Sequence, residues 1–108
     1  MSEFINFLHE VFADFGTINT RKMFGGYGIY HDGLMFALVT DDTLYLKADD
    51  TSRQQFIDRT LTPFTYEKQG KTIQLSYYQA PEEIYDDPDE AVYWAKQAFQ
   101  AALNAKSK

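Results

Sequence analysis

The chain has 108 residues, which is the usual size of one domain, and we expect residues 1–108 to form a single domain. Hydrophobic residues make up 44% and aromatic residues 17%, a composition that excludes an intrinsically disordered chain. There are no cysteines, which excludes disulfides, thiolate metal sites and cysteine nucleophiles, and the net charge of −6 disfavours direct DNA binding.

The first predicted element is a helix near residues 3–14. Apolar residues recur there at helical spacing, from Phe4 to Phe15, with polar residues between them. Ser2 has the chemistry of an N-cap, and Gly16 that of the residue that follows a helix. This N-terminus also lacks the basic segment and apolar core of a signal peptide, and no apolar run has the length of a membrane span. We therefore expect a cytoplasmic protein that has no membrane partner.

Residues 17–48 predict β-structure throughout. Two turn signals, Asp32-Gly33 and Asp41-Asp42, divide the segment into three strands. The residues from Leu34 to Val39 are nearly all apolar and predict a buried strand. In the third strand, the alternation places Leu44 and Leu46 toward the core.

Three glycines in four positions, Gly25, Gly26 and Gly28, follow the basic pair Arg21-Lys22. A phosphate-binding loop needs a helix directly after the glycines, so that backbone N–H groups and the helix dipole meet the phosphate. Here another predicted strand follows, and the Gly-Lys-Ser/Thr ending is missing. We therefore favour a bulge, a bend or a close backbone approach, and phosphate binding is the less favoured alternative.

The second half predicts a short helix, a hairpin and a long helix. Asp49 to Ser52 supply N-cap candidates for the short helix, which continues to about Arg59 with Phe56 and Ile57 as its apolar face. Residues 64–68 and 71–78 form the hairpin around Gln69-Gly70. The last helix begins with Asp87 as N-cap, Pro88 at its first position and Glu90 at capping-box spacing. Its apolar stripe consists of Ala91, Trp94, Ala95, Ala98, Ala102 and Leu103.

The predicted order is α-βββ-α-ββ-α. Strands joined by short hairpins indicate an antiparallel sheet, and helices must then cover one of its faces. The predicted class is α+β.

No catalytic set can be assembled from the sequence. His9 and His31 lie on separate elements and are interpreted as solvated surface residues, and the paired acids all fall at predicted turns or caps. We therefore expect no enzymatic activity, no metal and no cofactor.

Several segments together resemble the N-terminal domain of the TfoX/Sxy family. They are Arg21 to Tyr30, Asp32-Gly33, Met35 to Leu38, Leu44 to Asp49, Phe64 to Tyr66, Ser76 to Tyr78, Pro81-Glu82 and Trp94-Ala95. The resemblance implies a fold similar to secretion-chaperone-like domains. It also implies a regulatory role, because named members are positive regulators of competence genes that act with the cyclic-AMP receptor protein. Full-length regulators carry a second, mainly helical domain, and we expect this chain to be a stand-alone N-terminal domain.

These observations predict a protein-interaction module that serves as an accessory in transcriptional regulation. The candidate contact surface is Arg21, Lys22, Tyr27 and Tyr30, and the acidic balance favours a protein partner, such as a regulator or the transcription machinery, over DNA. An uncovered sheet face or edge would also allow a homodimer.

The alternative is a domain that binds a small ligand or nucleotide. It predicts a cleft beside the Gly25–Gly28 strand, lined by Met23, Phe24, Tyr27 and Tyr30.

Overall fold

A computed structural model describes residues 3–23 and 25–106. The predicted N-cap Ser2 lies outside these residues. The helices are α1 (Glu3–Val11), α2 (Arg53–Asp58) and α3 (Pro88–Lys106), with a short 3-10 helix at Glu82–Tyr85. The strands are β1 (Asn19–Met23), β2 (Gly26–His31), β3 (Leu34–Thr40), β4 (Thr43–Lys47), β5 (Pro63–Lys68) and β6 (Lys71–Gln79).

The strands form one six-stranded antiparallel sheet in the order β1-β2-β3-β4-β6-β5. All three helices pack on the same face of it. Ile5 and Leu8 of α1 belong to the shared core, and Phe99 of α3 and Phe56 of α2 make aromatic contacts with Phe36 and Tyr78. The predicted α+β class, with helices covering an antiparallel sheet, is confirmed. Within the described residues, no helix is long and apolar enough to cross a bilayer.

The structure has one strand more than the predicted order. Residues 17–31 were expected to form a single strand, but β1 and β2 form a hairpin in which Met23 is the cross-strand partner of Gly26. Gly25 lies in the turn with a φ of 77°, a left-handed conformation that glycine adopts without steric cost. The order is therefore α-ββββ-α-ββ-α, and the bend expected at the glycines is a complete reversal of the chain.

The core lies between the helices and the sheet. The side chains of Ile5 and Leu8 of α1, and of Phe12 directly after it, are fully buried there, as are most of the alanines of α3. Two predicted core positions are wrong: Ile57 of α2 is 47% exposed and Leu103 of α3 is 38% exposed. Both residues lie on the side of their helix that faces solvent, and the buried residue near the end of α3 is Ala101 instead.

The cap of α3 confirms its predicted start signal, whereas Ser52, directly before α2, makes no side-chain capping hydrogen bond. The Asp87 carboxylate accepts hydrogen bonds from the N–H groups of Asp89 and Glu90, and α3 begins at Pro88. The predicted capping box is not formed, because the Glu90 carboxylate accepts the indole N–H of Trp94 and the Asp87 N–H donates to the Glu83 carbonyl. The chain before α2 is capped by Asp49, which accepts the N–H groups of Thr51 and Ser52.

Candidate functional site

The register of the sheet assigns each strand residue to one of two faces, because directly paired residues share a face and consecutive residues alternate. One row of paired residues belongs to the helix-covered core: Ile29, Ala37, Leu46 and Tyr78. The neighbouring row therefore lies on the other face: Arg21, Gly28, Leu38, Tyr45 and Gln79. We call this second surface the open face.

The open face carries three kinds of side chain. Its aromatic residues are Tyr30, Tyr45, Phe64, Tyr66 and Tyr77. Its aliphatic and thioether residues are Met23, Met35, Leu38, Ile73 and Leu75. Its basic residues are Arg21, Lys47, Lys68 and Lys71. Most of these side chains are half-buried or exposed.

Two of the basic side chains lie over aromatic rings of the open face. The guanidinium carbon of Arg21 is 5.0 Å from the centre of the Tyr30 ring, and the ammonium of Lys47 is 5.0 Å from the centre of the Tyr77 ring. Both distances are within the range of cation–π attraction. Burial raises the pKa of Tyr77 to about 12, and the charge of the nearby Tyr30 adds to the shift. Rings and cations thus form a layer of side chains on the open face, with one pair over β1 and β2 and another over β4 and β6.

Gly28 leaves a hollow that this layer fills. A Cβ at position 28 would lie 2.8 Å from the sulfur atoms of both Met23 and Met35, and 3.0 Å from the Tyr30 ring. Since real Cβ atoms do not approach so closely, the glycine is what allows the three side chains to converge over the backbone of β2. The expected close backbone approach is confirmed at Gly26, where a Cβ would lie 2.0 Å from the Val39 carbonyl oxygen, whereas the close neighbours of Gly28 are side chains.

A row of rings continues the open face toward the edge strand β5. Phe64 meets the Tyr45 ring edge-on at 5.3 Å and stacks with Tyr66 at 6.1 Å. Tyr66 is 39% exposed, so the row ends in a ring that is accessible to solvent. Tyr77, in contrast, is only 8% exposed.

The charge of the open face is opposite to that of the whole chain. Among the described strand residues, Glu67 is the one acidic residue; it accepts a hydrogen bond from its cross-strand partner Thr72, on the face opposite Tyr66. The strand residues of the open face therefore include four cations and no carboxylate, while the chain carries a net charge of −6. The other described acidic residues lie in the turns, caps and helices.

The structure separates the four residues of the predicted contact surface. Arg21 and Tyr30 lie together on the open face. Lys22 and Tyr27 are cross-strand partners on the opposite face, where Tyr27 packs against the core. The four residues therefore form two pairs on two surfaces, because neighbouring residues of a strand point in opposite directions.

The predicted ligand cleft is likewise divided. Met23 and Tyr30 belong to the open face and Tyr27 to the opposite one, so these three side chains do not line one cleft. Phe24, the fourth predicted lining residue, lies outside the described residues.

His31 is not the solvated residue that the sequence predicted. Its ring packs against Phe15 at 4.6 Å and Phe99 at 5.1 Å, and its Nδ1 is 2.8 Å from the Thr17 carbonyl oxygen. These contacts fix the end of β2 to the segment that follows α1 and to α3. In the described part of the chain, no three His, Asp or Glu side chains are grouped as metal ligands.

Fold and site together define an α+β protein whose sheet has one face covered by helices and one face that is apolar, aromatic and basic. Residues 10–102 match the TfoX N-terminal domain, and the chain belongs to this family. It is 36% identical to Protein Sxy of Escherichia coli (strain K12) over 98 residues, which are 91% of this chain and 47% of that protein. It is 27% identical to DNA transformation protein TfoX1 of Aliivibrio fischeri over 97 residues, which are 90% of this chain and 44% of that protein. The chain thus spans about half the length of these relatives.

Proposed function

We propose that the chain is a non-enzymatic protein-interaction module that acts as an accessory in transcriptional regulation, and that its contact surface is the open face. Its membership of the TfoX N-terminal domain family supports the regulatory part of the proposal. The name of one relative, DNA transformation protein TfoX1, connects that protein with DNA transformation, and we propose that the present chain acts in the same process.

The composition of the open face is the observation that carries the interaction role. The cores of protein interfaces are enriched in Tyr, Phe, Met and Arg and depleted of carboxylates. The open face has this composition around Arg21, which contacts Tyr30 and has Met23 and Met35 beside it. Its lysines, a residue type that interfaces use less, lie elsewhere on the face. Methionine side chains also adapt their shape to a partner, because they are unbranched and flexible.

Duplex DNA fits the open face less well than a protein. Direct readout of DNA needs a helix or a two-stranded ribbon that enters a groove, whereas the open face is the broad side of a six-stranded sheet. The net charge of −6 also repels phosphate at long range.

The test is a pull-down from a bacterial lysate with matched single variants. Arg21→Ala removes a cation from the open face, and Lys22→Ala removes the adjacent cation from the opposite face. We expect Arg21→Ala to lose bound proteins that both wild type and Lys22→Ala retain, as quantified by mass spectrometry. Tyr45→Glu, which places a carboxylate at the centre of the open face, should lose the same proteins.

The melting temperature of each variant provides the folding control. Equal capture by wild type, Arg21→Ala and Tyr45→Glu, with all three folded, would contradict the proposal.

A further inference from the structure

We infer that the open face binds an acidic amphipathic helix of a protein partner, with the apolar side of the helix on the sheet and its carboxylates on the flanking cations. This inference rests on the proposed function and specifies the chemistry of the partner.

The dimensions of the open face suit a helix. Six strands spaced about 4.8 Å apart give a face about 24 Å wide, and a helix with its side chains is about 10 Å across. The other face of the same sheet is already covered by helices, and Phe56 of α2 and Phe99 of α3 contact it. A helix on the open face would complete the layered arrangement in which apolar sheet surfaces are normally buried.

The positions of the cations select an acidic helix. Arg21 lies on the edge strand β1, Lys68 lies on the opposite edge strand β5, and Lys47 lies on β4 between them. Aromatic and aliphatic side chains occupy the space between these charges. A partner helix with an apolar stripe flanked by Glu or Asp is therefore complementary to the open face in both polarity and charge.

A second copy of the chain is less complementary. Two open faces packed on one another would bring the Arg21, Lys47 and Lys68 side chains of both copies into one interface. Because the described strand residues place no carboxylate on this face, those charges would repel one another without compensation.

Single-stranded nucleic acid is also less complementary, although aromatic and basic residues are common to both kinds of surface. Stacking of bases needs accessible rings, and of the five rings on the open face only Tyr66 is exposed, while Tyr77 is only 8% exposed beneath Lys47. Thioether side chains cover the Gly28 hollow, next to the ring of Tyr30. Such a surface favours the apolar stripe of a helix over a row of bases.

The experiment is a display selection of helical peptides of random surface charge on the immobilised full chain. The test variant, Arg21→Glu/Lys47→Glu, reverses two charges on the open face. The control variant, Lys22→Glu/Lys96→Glu, reverses two exposed charges elsewhere and changes the net charge by the same amount. We expect the enriched peptides to be acidic, with apolar residues at i, i+3, i+4 and i+7. Their affinity should fall about tenfold or more for the open-face variant, because each reversal replaces an attraction with a repulsion, and should change little for the other variant.

Several results would overturn the inference. They are enrichment of basic or uncharged peptides, no enrichment, or equal affinity for the wild type and the open-face variant. A doubled mass in light scattering that the open-face variant abolishes would assign the face to a second copy. Binding of a 20-nucleotide poly-dT probe that the same variant abolishes would assign it to nucleic acid.

The pull-down that tests the proposed function distinguishes a failure of the acidic-helix inference from a failure of the interaction module itself. If the peptide selection fails but capture of lysate proteins still depends on Arg21, the interaction module is retained and only the acidic helix is rejected. Failure of both experiments would reject the module as well.

Discussion

The guanidinium of Arg21 lies 5.0 Å from the centre of the Tyr30 ring, while the adjacent Lys22 pairs with Tyr27 on the opposite face of the sheet. Two neighbouring basic residues therefore serve two different surfaces. Because β1 is an edge strand, both side chains reach solvent, and only their partners differ. The proposed contact surface accordingly includes Arg21 and excludes Lys22.

A double-mutant cycle measures the first of these contacts. We expect Arg21→Ala and Tyr30→Leu to be coupled by about 0.5–1 kcal/mol in the free energy of unfolding, the usual size of an exposed cation–π pair. The cycle of Lys22→Ala with Tyr30→Leu is the control and should be additive, because the two side chains lie on opposite faces. Urea denaturation gives the free energies. A zero coupling for Arg21 and Tyr30 would show that the pair contributes nothing to stability.

The sequence predicted the fold more completely than the site. Apolar periodicity and capping residues located all three helices, and turn signals such as Asp32-Gly33 located most strand ends. The β1–β2 turn was missed because a glycine pair is compatible both with a bend inside a strand and with a reversal between strands. Only the tertiary pairing of Met23 with Gly26 distinguishes these two structures.

The site was predicted only in part, for a different physical reason. Choosing Arg21 and Lys22 as an adjacent pair ignored the alternation of side chains along a strand, which was available from the sequence. The same alternation in β4 places Tyr45 and Lys47 opposite the core residue Leu46, and so would have identified two further open-face residues. No sequence pattern could show that Lys47 lies over Tyr77, because that contact depends on the pairing of β4 with β6.

The three clustered glycines should differ in their tolerance of alanine. Gly26→Ala should be the most damaging, at about 3 kcal/mol or more, because its Cβ would meet the rigid Val39 carbonyl oxygen at 2.0 Å. Gly25→Ala should cost about 1–2 kcal/mol, since its φ of 77° is strained for a residue with a Cβ although the space around it is open. Chemical denaturation of the three variants gives the order, and a Gly26→Ala protein as stable as Gly25→Ala would contradict it.

Gly28→Ala should cost less than Gly26→Ala and should be rescued by a second substitution. Its Cβ would meet two methionine sulfur atoms, which are the ends of flexible side chains and can move at a cost of about 1–2 kcal/mol. Met35→Ala in the same chain should recover part of that loss, whereas it should not improve Gly25→Ala. Melting temperatures of the single and double variants measure the rescue, and equal effects of Met35→Ala on the two glycine variants would reject it.

Asp49 should stabilise the protein in a pH-dependent way. Its carboxylate accepts the Asn104 side-chain amide at 2.9 Å and two backbone N–H groups that precede α2. The hydrogen bond from Asn104 is the largest of the effects that together lower the pKa of Asp49 below 3.8. Asp49→Ala should therefore cost about 1–2 kcal/mol at neutral pH, as for the loss of a helix cap.

The pH dependence follows from the lowered pKa. Stability from the charged carboxylate is fully present above the unfolded-state value of 3.8 and is lost as the pH falls through the lower folded-state pKa. The difference between wild type and Asp49→Ala should thus be smaller at pH 3 than at pH 7 in urea denaturation. Asp49→Asn, which keeps the capping oxygen, should cost less than alanine at pH 7. An equal loss of stability in Asp49→Ala at pH 3 and pH 7 would exclude stabilisation by the charged Asp49 carboxylate.

Tyr77 should make the protein less stable at alkaline pH. Its pKa is raised from 10.0 to about 12 in the folded protein, mainly because its hydroxyl is buried. An unfolded chain releases this proton near pH 10 and the folded chain does so only near pH 12. Between these values the free energy of unfolding should fall with rising pH, by up to about 1.4 kcal/mol per pH unit for this group.

The matched variants are Tyr77→Phe and Tyr85→Phe. Burial also raises the pKa of Tyr85 to about 12, and Tyr85 stacks with Phe7 at a distance from the open face. Each substitution keeps the ring and removes one titrating hydroxyl, so each should reduce the loss of stability between pH 9 and pH 11. A Tyr77→Phe protein with the wild-type alkaline slope would show that the Tyr77 hydroxyl titrates equally in the folded and unfolded chains.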